Sequence, residues 1–289
     1  QQRRRGAGWQ PCATAGRLTA AFAGIPLDRP CVMAIVNVTP DSFSDGGERL
    51  RPAQAIDDGL RFVAEGADVI DVGGESTRPG ARPVAPEDEA ARVLPVVAAL
   101  ARQKVVVSID TRRASVARAC LDAGAAIVND VSALRDDPDL LPLMAGCGAA
   151  VVLMHRRGRP ERNYEGPAYG DVVEEVRRFL VERAMICETA GISRDRIALD
   201  PGIGFGKSVT ENLALVAGAG RLAAAGYPVV IGASRKGFIG KLTGLGDPRD
   251  RDPASVWLAV EATRRGADIV RVHNVAATRQ ALAVSAAMR

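Results

Sequence analysis

The sequence predicts a (β/α)8 TIM barrel, an α/β fold in a single domain. Eight short apolar runs, rich in β-branched residues, alternate with helical patterns along 289 residues, a usual length for one such barrel. Each run reads as a strand buried on both faces, as parallel sheets require. No Gly/Ser linker or shift in composition interrupts the series. An open doubly wound sheet would share this periodicity, and the count of eight is what favours closure.

The first strand covers 32–38, and Pro40 stops it before a polar loop that runs to Gly47. A helix over 53–65 follows, with Ile56, Leu60, Phe62 and Val63 as its apolar stripe. The second strand lies within 67–74, and a loop, Glu75 to Gly80, separates it from a helix over 86–101. That helix opens with Pro86 and acidic residues, as helix N-termini prefer. Strand three spans 105–110, then come a helix over 114–123 and strand four over 126–130. A short helix near 138–146 precedes strand five, 149–154, which runs up to His155. The polar loop 156–168 leads into the longest helix, 171–190. Strand six, 197–200, is stopped by Pro201-Gly202. Helix 210–225, strand 229–233, helices 234–242 and 253–266, strand 268–273 and helix 276–288 complete the chain. Residues 1–30 are expected to be a loosely specified N-terminal extension, and 31–289 the barrel.

Composition narrows the function classes. Apolar residues make up 47% and aromatics only 4%, so the core is built mainly of Ala, Val, Leu and Ile. No apolar run approaches the roughly 18–20 residues of a membrane span, so no membrane association is expected. The net charge of +4 is carried entirely by residues 1–30, where five Arg face one Asp. A basic tail is not a nucleic-acid face, and no nucleic-acid partner is expected. Arg17 interrupts the apolar stretch after Arg5, which argues against a secretory signal. The five cysteines lack any CxxC spacing and read as reduced packing thiols of a cytoplasmic protein.

In a parallel barrel the C-terminal strand ends converge on one face, where chemistry is done. Here they carry Asn37, Asp71, Asp110, Asn129, His155, Asp200, Ser234-Arg235-Lys236, Arg271 and His273. Any single Asp or Asn could be a helix cap or turn former. As a set they are not caps, because four units end in Asp or Asn before the turn begins. Asp110, Asn129 and Asp200 offer two carboxylates and an amide, which match a flat heterocycle displaying N–H donors and a carbonyl. The same groups make poor zinc ligands without His or Cys nearby. Lys236, Arg271 and His273 suit an anion such as a phosphate or carboxylate. Arg271 and His273 lie two residues apart and so share one face of their strand. His155 qualifies only by its place at a strand end.

The run Gly202-Ile203-Gly204-Phe205-Gly206-Lys207 fits neither the GxxxxGK[ST] nor the GxGxxG pattern, which excludes a P-loop or Rossmann nucleotide site. Its glycines are expected to turn the backbone sharply beside the ring, with Phe205 as a stacking face. No GxSxG occurs, and no Ser-His-Asp or Cys-His order points to a nucleophile.

Several of these segments resemble the signatures of the dihydropteroate synthase family. Val36 to Gly47 is similar to the first and Asp71 to Gly80 to the second. Ser108 to Thr111, Asn129-Asp130, Leu199 to Phe205, Ser234 to Lys236 and Arg271 to His273 resemble further blocks in the same order, from about residue 31 to the end. The resemblance implies condensation of 6-hydroxymethyl-7,8-dihydropterin diphosphate with 4-aminobenzoate to give 7,8-dihydropteroate and diphosphate. It also implies Mg²⁺ as cofactor and a homodimer. By the same resemblance, Asp110, Asn129, Asp200 and Lys236 would hold the pterin, Met154 and Phe205 would line its pocket, and Arg271 would cover it. Asn37, Arg271 and His273 would hold the diphosphate, with Asn37 as the metal ligand. Phe43, Thr77, Arg78, Pro79 and Lys236 would form the aminobenzoate pocket. Asp45, ordering the first loop, would join Arg78, Lys236, Arg271 and His273 as the catalytic set. Departure of diphosphate to a pterin-methylene cation, followed by amine attack, needs no protein nucleophile. Gly237 stands where many relatives have Ser or Arg, which puts that contact with aminobenzoate in doubt. With no insertion after Phe43, ordinary sulfonamide sensitivity is expected.

Two other readings share part of this pattern. A methyltetrahydrofolate:corrinoid methyltransferase would share a pterin-binding barrel but has no need of the 37–47 loop, the Ser234-Arg235-Lys236 block or the Arg271/His273 pair. A non-catalytic pterin-binding paralogue would bind pterin diphosphate without releasing diphosphate.

Overall fold

The computed structural model describes residues 20–38, 50–76, 83–158 and 169–288. Eight parallel strands form the barrel: β1 (Cys31–Asn37), β2 (Val69–Gly73), β3 (Val107–Asp110), β4 (Ile127–Asp130), β5 (Ala150–Met154), β6 (Ile197–Asp200), β7 (Val230–Ile231) and β8 (Ile269–Val272). Hydrogen-bonded neighbours run in the order β6-β5-β4-β3-β2-β1-β8-β7. The ring closes where Leu199 of β6 pairs with Val229, just ahead of β7, and the Leu199 amide donates to the Pro228 carbonyl at 2.8 Å.

Ten helices connect and surround the strands among the described residues: α1 (Leu50–Ala64), α2 (Pro86–Arg102), α3 (Ala114–Asp122), α4 (Leu140–Gly146), α5 (Val172–Thr189), α6 (Val209–Ala217), α7 (Ala219–Ala223), α8 (Gly237–Thr243), α9 (Asp252–Arg264) and α10 (Val275–Ala287). The expected single helix over 210–225 is two helices. Gly218 lies against α5, where a Cβ would come within 2.7 Å of Val173 Cγ1, and the chain breaks there. The expected start of a helix at 234 moves to Gly237. Arg235 adopts a left-handed backbone (φ 59°), which ends one element before α8 can begin. That conformation is held by Asp252, which accepts from Arg235 Nε at 2.6 Å and Nη2 at 2.8 Å.

Residues 20–30, part of the stretch expected to be loosely specified, carry a hairpin instead. Ala21–Phe22 pairs antiparallel with Ile25–Pro26. Ala23 and Gly24, at φ 50° and 77°, make the two-residue turn. Phe22 and Leu27 are buried and plug the N-terminal end of the barrel. Burial of a side chain such as Phe22 contributes about 1.5–3 kcal/mol. No helix among the described residues is long and apolar enough to cross a membrane. Cys31, Cys120 and Cys187 are buried free thiols. Burial pushes the Cys120 thiol up to about 12 and that of Cys187 to about 11, as packing residues require.

Candidate active site

Strand alternation builds the site. Toward the N-terminal end of the barrel, the inward residues are apolar: Met33, Val69, Ile127, Val152, Ala198, Val230 and Ile269 share one buried cluster with Phe22. Two residues further along each strand, the same face carries Ile35, Asp71, Asn129, Met154, Asp200 and Arg271. Register then sets Asp71 beside Ser108, and Asp110 beside both Gly73 and Asn129. One set of strands thus makes an apolar floor and a polar mouth.

Arg271 lies at the centre of the mouth. Its Nε donates to Asp71 Oδ2 at 2.6 Å and its Nη2 to Asp110 Oδ2 at 2.7 Å. Asn129 Nδ2 donates to the same Asp71 oxygen at 3.1 Å. Burial works against the charge on Arg271, but Asp71 and Asp110 outweigh it and hold the guanidinium above its usual range. Burial pushes the Asp110 carboxyl up to about 7 against the pull of Arg271. Asp200 is also raised by burial, opposed by Lys236 and by the Gly202 amide, which donates to Asp200 Oδ1 at 2.7 Å.

Lys236 reaches the mouth from the N-cap position of α8. Its Nζ donates to the Ile203 carbonyl and sits 4.5 Å from the centroid of the Phe205 ring. Burial pushes Lys236 down to about 8, against Asp200. The loop after β6 approaches closely. A Cβ on Gly202 (φ 69°) would lie 1.8 Å from the His155 carbonyl oxygen, so this turn requires glycine. Lys207 anchors the loop: its ammonium donates to the carbonyls of His155, Gly202 and Phe205 at 3.2, 2.9 and 3.2 Å. Ser208 caps α6 in a reciprocal capping box with Glu211. The Lys-Ser pair is therefore structural, as the failed P-loop pattern implied.

His273 shares the inward parity of Arg271, and its Nδ1 lies 3.0 Å from Ser234 Oγ. His155 has the opposite parity. It faces outward, edge-on to Phe179 of α5 at 4.9 Å, and burial pushes it down to about 3, so it stays neutral and away from the mouth. Arg235, within the Ser234-Arg235-Lys236 block, also turns away to Asp252. The mouth brings together Asp110, Asn129 and Arg271; Met154 and Asp200 share its inward face, and Lys236 pairs with Phe205 of the loop beside it. Asn37 is exposed at the end of β1. Phe43, Asp45, Thr77, Arg78 and Pro79 lie outside the described residues.

Sequence reasoning placed Asp71 in the ring but gave it no role, although a buried mid-strand carboxylate must find a partner. It also missed an ionic clamp at the base of the second loop. Arg113 Nη2 donates to the Val84 carbonyl at 2.6 Å and to Glu75 Oε1 at 3.1 Å; its Nη1 pairs with buried Glu89. Glu75 Oε1 accepts from the Val84 amide at 3.0 Å, which ties residue 75 to residue 84.

The sequence profile of the pterin binding enzyme family matches residues 33–273. The chain belongs to this family. Among pterin-binding relatives, the dihydropteroate synthase of Mycobacterium leprae is 48% identical over 259 residues, which cover 88% of this chain and 91% of the relative. The structure of Xanthomonas albilineans dihydropteroate synthase with 4-aminobenzoic acid superposes with a TM-score of 0.86 at 50% identity, covering 91% of this chain and 94% of that one. The same Xanthomonas enzyme in complex with 7,8-dihydropteroate gives 0.83 at 47% identity, covering 91% and 95%.

Proposed function

We propose that this pterin-binding enzyme is a dihydropteroate synthase, a transferase of folate biosynthesis that joins 6-hydroxymethyl-7,8-dihydropterin diphosphate to 4-aminobenzoate. The observation that carries the reading is the inward cluster of Asp110, Asn129, Asp200 and Arg271 above an apolar floor. It offers acceptors and an amide for the edge of a pterin and a cation beside them. Asp110 and Asp200 would accept ring N–H groups, Asn129 would donate and accept, and Lys236 would donate. Met154 and Phe205 would pack on the ring. Arg271 and His273 would face the diphosphate. The aminobenzoate pocket of Phe43, Thr77, Arg78, Pro79 and Lys236, with Asp45 on the first loop, belongs to the same reading, as do a homodimer, a cytoplasmic location and sulfonamide sensitivity.

Among the described residues no group of three or more His, Cys, Asp or Glu is arranged to hold a metal. Asn37 offers a single exposed amide oxygen. That suits Mg²⁺, which keeps several waters and takes substrate phosphates with few protein oxygens. When bound with the diphosphate, Mg²⁺ supplies charge that stabilises the leaving group.

The bond from the pterin methylene carbon to the diphosphate oxygen breaks, and its electron pair leaves with the diphosphate. Arg271 and His273 stabilise the charge that collects there. The dihydropterin delocalises the cation, held in place by Asp110, Asn129 and Asp200. The aminobenzoate nitrogen then bonds to the methylene carbon and loses a proton. Water must be kept from the cation, which it would otherwise trap. Incubating the purified protein with both substrates and Mg²⁺ tests the reading. Formation of 7,8-dihydropteroate supports it; saturable pterin diphosphate binding with no product means a non-catalytic binder.

A further inference from the structure

We propose that Asp71 is a positioning residue on which Arg271 pivots, so that the guanidinium can exchange Asp110 for the diphosphate when substrate binds. This rests on the functional reading above.

The two carboxylates that hold Arg271 are not equivalent. Asp71 is wholly buried, whereas the Asp110 side chain is 16% exposed at the mouth. Asp71 Oδ2 accepts from Arg271 Nε and from Asn129, but its Oδ1 is buried and accepts nothing. Arg271 is the one cation that the described residues bring into contact with Asp71. Moving Arg271 off Asp71 would strand a buried charge. Moving it off Asp110 strands nothing once a pterin edge supplies N–H donors to that carboxylate. The Nε contact is therefore fixed and the Nη2 contact is exchangeable. A guanidinium anchored through Nε still presents its Nη edge, the edge suited to phosphate oxygens.

The exchange swaps one anionic partner of Arg271 for another. At rest, Asp110 and Asp71 both accept from Arg271. With substrate bound, the diphosphate replaces Asp110 as counter-ion, and Asp110 turns to the pterin. Asp71 keeps the pivot in both states. Asn129 fixes Asp71 through the same oxygen, so the pivot and the pterin-facing amide are coupled.

The test compares Asp71→Asn with the wild type. Asn keeps the shape and one acceptor but removes the charge that restrains Nε. Calorimetry would measure binding of 6-hydroxymethyl-7,8-dihydropterin diphosphate with Mg²⁺, and of 6-hydroxymethylpterin, which has no diphosphate. We expect Asp71→Asn to weaken the diphosphate ligand by about tenfold or more and the diphosphate-free pterin by less than about threefold. In an Arg271→Ala background the Asp71→Asn change should have no further effect on the diphosphate ligand. Equal weakening of both ligands, or a full effect without Arg271, would overturn the proposal and leave Asp71 a structural group.

A second variant keeps the idea falsifiable if Asp71→Asn does not fold. Asp110→Asn removes the resting competitor, so it should bind inorganic diphosphate with Mg²⁺ about threefold or more tighter than wild type. Unchanged or weaker binding would overturn the exchange. If the wild type itself fails to bind the pterin diphosphate, the functional reading falls, and the proposal with it. Wild-type binding that Asp71→Asn leaves intact overturns the proposal alone.

Discussion

Arg113→Met tests whether the clamp at the base of the second loop is an energetic unit. Arg113 is the guanidinium that neutralises Glu89, whose side chain is fully buried, and it also pairs with Glu75, 10% exposed. Met keeps the unbranched apolar stem of Arg and omits the guanidinium. What is lost is the charge and the hydrogen bond to the Val84 carbonyl at 2.6 Å. Removing one partner of a buried ion pair costs about 3–5 kcal/mol, because the other charge is stranded. Burial already raises the Glu89 carboxyl, so neutralising it should recover part of that cost. The double variant Glu89→Gln with Arg113→Met should regain about 1–3 kcal/mol. Urea unfolding followed by circular dichroism measures both values from the shift in midpoint at constant slope. A loss under about 1 kcal/mol for Arg113→Met, the range of an exposed salt bridge, would refute the reasoning. So would a double variant no more stable than the single.

Two further outcomes follow from the mouth of the barrel. Lys207→Met leaves three loop carbonyls without their ammonium donor; KM for the pterin diphosphate should rise by about five- to tenfold as Phe205 loses its support, and an unchanged KM would contradict this. The kcat/KM for pterin diphosphate should fall below a pH of about 7, as Asp110 gains a proton and ceases to be a pure acceptor, and above about 8, as Lys236 loses its own. A flat profile from about pH 6 to about pH 9 would contradict the assignment of those two groups.

The barrel was legible because parallel strands buried on both faces leave unbroken apolar runs, and most expected strands fall within two residues of those observed. Polar residues closing such runs marked the mouth: Asp110, Asn129, Asp200 and Arg271 all stand there. Four features were hidden for physical reasons. The plugging hairpin has strands of two residues, too short to show any period. The Arg271–Asp71 pair joins residues 200 positions apart, which only barrel closure brings together. His155 stands at a strand end like its neighbours, but it follows inward-facing Met154 and so points to α5. Counting parity from Val152 and Met154 would have turned it outward. Lys207 hid behind a motif it does not belong to. Its three carbonyl acceptors are backbone groups, which carry no side-chain signature.

The most direct test of the central claim is diphosphate release from the pterin diphosphate with Mg²⁺, measured with and without 4-aminobenzoate. A protected cation captured by the amine predicts release that depends on 4-aminobenzoate and matches dihydropteroate formed mole for mole. Release at the same rate without 4-aminobenzoate, or none with it, would contradict the account.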